Sequence, residues 1–191
     1  MHSPDRLEGP GPQLLRLARR SIEHGLVHSK PLPVDLAEWP ATLSSPGATF
    51  TTLRLDGALR GCCGRLEAEL PLASDVAHSA FQAAFRDSRF APVRQDEFGA
   101  LELEVSVLTP MEAIPCNSEA ELLDCLTPHT DGLVIIEGGR RATFLPKVWE
   151  SLPDPQQFLG QLKQKCGLPT DYWSERLEFL RYATETYAES D

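Results

Sequence analysis

The chain has 191 residues, with 28 acidic against 18 basic side chains for a net charge of −10, and is 41% apolar and 24% charged. A chain of this size buries about 70% of its unfolded surface, so the composition is that of an ordinary globular protein with a real core. The acidic excess argues against general nucleic-acid binding, which Lys and Arg drive by neutralising phosphates; no apolar run approaches the ~20 residues that cross a bilayer.

The N-terminus lacks the charged, apolar and small-residue layout of a signal peptide, so the expected location is the cytoplasm. Residues 1–12 hold three Pro and two Gly and read as a loose tail, leaving 13–191 as one domain. Leu14, Leu17, Ala18 and Ile22 then recur at helical spacing, with Gly25 as a stop signal. Residues 31–46, with four prolines, read as a connector anchored by Leu32, Val34, Leu36 and Trp39.

A hairpin follows, 49–55 and 59–66, about an Asp56-Gly57 turn. Its second strand carries Leu59-Arg60-Gly61-Cys62-Cys63-Gly64. Two glycines weaken a strand, and mark a bulge or a close approach to the backbone. Beyond Pro71 an apolar stripe through Val76, Ala80, Ala83 and Ala84 predicts a helix, with Ser74 or Asp75 as its cap and Pro92 beyond its end. Residues 101–108 alternate at period two. That predicts a half-buried strand, with Leu101, Leu103, Val105 and Val107 on the core face and Glu102, Glu104 and Ser106 on a solvated one.

Ser118 and Glu121 fit a capping box for a short helix over 118–126. Leu133–Glu137, Gly138-Gly139 and Arg140–Phe144 read as a second hairpin, and Asp154 opens a helix that ends at Gly167. Asp171–Trp173 reads as a further helical turn and Leu177–Tyr182 as a strand. Hairpins alternating with helices predict an α+β fold with a mainly antiparallel sheet flanked by helices.

Five cysteines stand at 62, 63, 116, 125 and 166. The odd count and the lack of framework spacing fit free thiols in a reducing compartment; without a CxxC, no structural zinc site is expected, and no metal or cofactor. Cys62 is the candidate nucleophile. On a regular strand Arg60 shares its face and favours the thiolate by its charge, while Cys63 points into the core. Arg60, Arg89 and Arg140 are candidate anion binders through the guanidinium fork; the alternative for each is a structural ion pair, for Arg60 with Glu104 or Asp87. Gly61 and Gly64 are candidates for letting a substrate approach the backbone, and Glu104 and Ser106 for a carboxylate and a hydroxyl beside the thiol. The plain alternative is that Cys62 is a packing residue, since free cysteine is among the most buried types.

The blocks Leu59-Arg60-Gly61-Cys62 with Gly64, Pro71-Leu72, Asp87 to Val93, Glu104 to Leu108, Asp131-Gly132-Leu133, Arg140 to Pro146 and Lys165 to Pro169 occur in that order. This series resembles the AMMECR-type domain family over residues 14–187, and points to a bacterial member of the AmmeMemoRadiSam system protein A kind. Cys63 departs from the aliphatic residue usual there, and Cys166 from the Ala frequent in bacterial members. The resemblance implies an α+β fold with a larger and a smaller lobe, and a genomic association with Memo-type and radical-SAM proteins. It supplies no reaction. Two functions stay open: an enzyme using Cys62 on a small anionic substrate, and a non-catalytic module that binds a ligand or a protein.

Overall fold

The computed structural model describes residues 9–189. They form two compact units, one running to Leu108 and resuming at Glu185, the other Thr109–Thr184. In chain order the first unit contributes α1 (Pro10–His28), the short α2 (Ala41–Ser44), β1 (Pro46–Gly47), β2 (Thr49–Leu55), β3 (Ala58–Gly64), β4 (Leu70–Pro71), α3 (Leu72–Phe85), the one-turn α4 (Gln95–Phe98) and β5 (Leu101–Leu108). The second contributes β6 (Glu112–Ala113), α5 (Glu119–Cys125), β7 (Gly132–Glu137), β8 (Arg140–Phe144), α6 (Pro155–Lys165) and β9 (Glu178–Tyr182), before β10 (Thr184–Ala188) returns to the first sheet.

Each unit is a four-stranded sheet backed by helices. The first sheet has the order β10-β5-β2-β3, with β5, β2 and β3 antiparallel. The second has the order β6-β9-β7-β8 and is antiparallel throughout. The α+β class therefore stands, as one four-stranded sheet per unit, with the short antiparallel pair β1–β4 beside the first. The first core joins Leu14, Leu17 and Ile22 of α1 to Val76, Ala80 and Ala84 of α3 and to Leu53, Leu103 and Val105 of the sheet. The second gathers Leu133, Ile135, Trp149, Phe158, Leu162 and Phe179, with Trp149 and Phe158 stacked at 3.7 Å between ring centroids.

Several local expectations change. Residues 1–8, most of the expected tail, lie outside the described residues, and α1 already begins at Pro10, where a proline suits a helix's first turn. Gly25 does not stop α1. An added Cβ there would strike the Phe85 and Phe81 rings, so the glycine lets α1 and α3 approach, and the helix ends at Ser29 in the left-handed conformation. Leu36 is exposed rather than an anchor, whereas Leu32, Val34 and Trp39 do pack on the core. Asp56 and Gly57 both have positive φ, as a type I′ turn requires. Residues 171–173 are not helical, a turn at Thr170-Asp171 running into irregular chain, and β10 follows the expected strand at Glu178–Tyr182.

The largest change is at the start of α3. Its N-cap is Pro71, with no side-chain cap bond, and the Leu72 amide donates to the Ser45 carbonyl at 2.8 Å. Asp75 instead turns into the core, 0% exposed, where one carboxylate oxygen accepts from the Thr49 amide at 2.9 Å and the Thr49 hydroxyl at 2.7 Å. Ser79 continues the network to Thr51 at 2.7 Å, and Arg65 Nε lies 2.8 Å from the other Asp75 oxygen. Burial pushes the Asp75 carboxyl up, opposed by the Thr49 hydroxyl and the Arg65 charge.

Truncation separates the two assignments. Asp75→Ala, which strands the buried Thr49 donor, should cost on the order of 3 kcal/mol in urea unfolding. Ser74→Ala should stay within about 0.5 kcal/mol. The reverse ranking would restore Ser74 as the cap.

Candidate functional site

Cys62 lies in β3, the edge strand of the first sheet, opposite Thr52 in β2, which is in turn opposite Glu104 in β5. These three form one row on one face. Cys63 packs against the core on the other face, as period two requires. The Cys62 thiol is half-buried and accepts a hydrogen bond from the Thr52 hydroxyl at 3.5 Å. Burial pushes the Cys63, Cys116 and Cys166 thiols up.

The glycines around Cys62 serve the fold. A Cβ on Gly61 would collide with the Ala83 carbonyl oxygen, so glycine is what lets α3 lie directly against β3. At Gly64 it would collide with the Thr49 carbonyl oxygen and the Phe50 backbone of the neighbouring strand. Both close approaches expected from sequence exist, but the approaching group in each is the chain itself.

Arg60 is the extra residue of a β-bulge: Leu53 pairs with Gly61 while Arg54 pairs with Leu59. The bulge interrupts the two-residue period between Arg60 and Cys62. The Arg60 guanidinium grips Glu97 through two bonds of 2.8 and 2.9 Å, and also donates to the carbonyls of Ala91 and Pro92. Its ion-pair partner is thus Glu97, not Glu104 or Asp87, and its side chain is only 13% exposed. The Arg60 bond, followed by the Arg94 amide, holds the Glu97 carboxyl below its ordinary range.

Asp87 and Arg89 complete the surroundings of the thiol. As an edge strand, β3 has amides with no neighbouring strand to accept from them. Asp87 fills that place for Cys62, accepting its N–H at 2.9 Å. The same carboxylate accepts from the Arg89 amide at 3.1 Å and from its guanidinium at 2.9 and 2.7 Å. These bonds, the Arg89 side chain foremost and the Cys62 amide next, hold the Asp87 carboxyl far below the usual carboxylate range. Asp87 in turn keeps Arg89 protonated, and Arg89 lies close enough to Cys62 and Cys63 to feel their charge.

The remaining candidates are placed elsewhere. Glu104 stands two strands across from Cys62, about 10 Å between backbones at normal strand spacing, with Thr52 between them. Ser106 is not on a solvated face: β10 covers that edge of β5, and the Ser106 hydroxyl sits 2.9 Å from that of Thr186. Arg140 belongs to the second unit, at the start of β8, and donates to the Gly167 carbonyl at 2.8 Å. The sequence reading placed Asp87 here only as a partner for Arg60, and missed Thr52 and Glu97 as neighbours of this site. The Asp87-Ser88-Arg89 turn, in which the aspartate bonds an amide two residues on, is the signal that marks Asp87.

The AMMECR1 family model matches residues 15–187. The chain belongs to the AMMECR1 family. A protein of Methanocaldococcus jannaschii is 34% identical over 183 residues, covering 92% of this chain and 88% of that one. One of Methanothermobacter thermautotrophicus is also 34% identical, over 187 residues and 94% of each. The crystal structure of an uncharacterized Pyrococcus horikoshii protein superposes with a TM-score of 0.87 at 33% identity, covering 94% of this chain and 91% of that one. These relatives are archaeal, so they lend no weight to a bacterial origin. The stretch Leu59-Arg60-Gly61-Cys62 maps onto a bulge, a helix contact and a half-buried thiol.

The Asp87 clamp makes a pH prediction. Its folded value lies below the ordinary aspartate value of about 3.9, so the contribution is complete above that value and is lost as pH falls through it toward the folded value. Asp87→Asn should unfold at lower urea than the wild type at pH 7, and the gap should narrow as pH is lowered from about 5 to 2. A gap constant across that range would contradict the clamp.

Proposed function

We propose that this protein is a cysteine-dependent enzyme acting on a small anionic substrate, with Cys62 as its nucleophile. The observation that carries the reading is the setting of the thiol: half-buried, opposite a hydroxyl that donates to it, and fixed through its own amide to the carboxylate that holds Arg89. A thiol closed in an apolar core, away from every charged side chain, would have no means to act as a thiolate; this one has charged neighbours. In this reading the anion binder is Arg89, whose guanidinium is 55% exposed, while Arg60 positions the strand. We place the chain in the cytoplasm with its thiols reduced, on the odd cysteine count and the lack of framework spacing. No helix among the described residues is long and apolar enough to cross a membrane.

One observation favours a second reading, a non-catalytic ligand- or protein-binding module working beside Memo-type and radical-SAM proteins. Arg60, the cation nearest Cys62 in sequence, is fully engaged by Glu97 and two carbonyls. The narrower assignment to the AmmeMemoRadiSam protein A kind, in a bacterium, goes with that reading and rests on the motif series alone.

The two readings differ in the reactivity of one thiol. In a Cys125→Ser background, which removes the exposed thiol, limiting iodoacetamide near pH 7 should label Cys62 before Cys63, Cys116 and Cys166, as read by peptide mapping. Thr52→Val and Arg89→Ala should each slow Cys62 labelling by about threefold or more, since Thr52 donates to the sulfur and Arg89 is the cation that Asp87 holds beside it. Labelling of Cys62 no faster than of Cys63, Cys116 and Cys166, with neither substitution changing it, would overturn the enzyme reading in favour of the module.

A further inference from the structure

The second unit has a cleft of about 490 Å³ at the β7–β8 turn, walled by Glu137, Arg140, Leu168, Pro169, Tyr172 and Arg176. The volume lies in the range of small-molecule sites, roughly 300–1,000 Å³. Its floor and rim carry opposite charges. Glu137 ends β7 and is 8% exposed, so its carboxylate sits among protein atoms rather than in water. One oxygen, Oε1, accepts from the Tyr172 hydroxyl at 2.7 Å and pairs with Arg176 at 3.1 Å. The other, Oε2, is buried and has no hydrogen-bond partner. A buried carboxylate oxygen without a donor is costly, because desolvation is not offset.

The rim supplies the complement. Arg140 uses one guanidinium nitrogen on the Gly167 carbonyl, and Arg176 is 81% exposed beyond its contacts with Tyr172 and Glu137, so both keep N–H groups for an anion. Leu168 and Pro169 add apolar wall. Gly139, also on the lining, is held to glycine neither by positive φ nor by packing: an added Cβ would meet nothing within 4 Å. That is the reverse of Gly61 and leaves the mouth of the cleft open.

A buried acceptor that lacks a donor, and exposed forked donors around it, call for one ligand with both charges. We propose that this cleft binds a small zwitterion of the α-amino acid class, its ammonium on Glu137 Oε2 and its carboxylate on Arg140 and Arg176. Tyr172 then acts as a positioning residue, holding Glu137 by its other oxygen and leaving Oε2 for the ligand. The site is independent of Cys62 and of the reaction proposed for it.

The test uses the whole chain, with backbone amide NMR of the common L-amino acids and calorimetry on any that bind. Leucine, 4-methylpentanoate and 3-methylbutan-1-amine share one apolar body and differ only in carrying both charges, the carboxylate alone or the ammonium alone. The expected result is millimolar or tighter binding of at least one amino acid, with shifts at Gly139, Tyr172 and Arg176. For leucine or its nearest binding homologue, each single-charge analogue should bind at least tenfold more weakly. Glu137→Gln should lose at least tenfold in affinity, because its amide leaves a weaker, uncharged partner for the ammonium, and Arg140→Ala together with Arg176→Ala should lose as much. No response to any amino acid, equal binding of a single-charge analogue, or unchanged binding by Glu137→Gln would each overturn the proposal. If Glu137→Gln fails to fold, the analogue comparison on the wild type decides.

Discussion

The first unit depends on helix α3 lying directly on the β2–β3 hairpin. Two features make this contact. Gly61 removes the side chain that would hold the Ala83 carbonyl away, and Asp75 reaches from α3 to take the Thr49 amide and hydroxyl. One is a matter of space and the other of hydrogen bonding, and each supports the other: the buried carboxylate reaches Thr49 only at that separation. The small residues Ala73, Val76, Ala77, Ala80 and Ala84 make the same close approach along the rest of the helix, and α1 packs on α3 through Gly25.

The segment that leaves α3 is then tied along the open edge of the sheet. Val93 donates to the Ala84 carbonyl, Asp87 takes the Cys62 amide, and Arg60 holds the Ala91, Pro92 and Glu97 groups. An edge strand with free amides invites pairing with another chain, and this strap covers it. It also fixes the one thiol that has a hydroxyl and an ion pair about it. Where the sequence shows an arginine next to a cysteine, the fold uses that arginine to hold a loop and brings a second arginine, Arg89, to the thiol on an aspartate.

Much of the architecture was legible because it is written in local signals. The Asp56-Gly57 turn needs positive φ, the alternation in Leu101–Leu108 needs a strand, and Ser118 with Glu121 needs a helix start. What was not legible depends on partners far apart in the chain. Ser106 reads as solvent-facing until β10 arrives from 80 residues away, and Asp75 reads as a cap until Thr49 of a different strand claims it. The bulge at Arg60 likewise has no mark beyond a neighbouring glycine, yet it decides where the guanidinium goes. Cys62 and Cys63 were correctly assigned to opposite faces, since period two holds from Gly61 on. The cleft of the second unit went unread because Glu137, Tyr172 and Arg176 converge only once β7 and the 168–176 segment are side by side.

The central claim, that α3 and its trailing strap hold the thiol-bearing strand as one body with the sheet, is tested most directly by native-state amide exchange. The Thr49 and Cys62 amides donate to carboxylates of Asp75 and Asp87 rather than to a neighbouring strand. If those contacts are part of the cooperative core, both amides exchange only through global opening, at the rate of Leu53 and Val105 in the sheet interior and with the same denaturant dependence. Exchange of Cys62 at the rate of the exposed turn residues Asp56 and Gly57 would contradict it, and would make β3 a loose edge on which no site could be held.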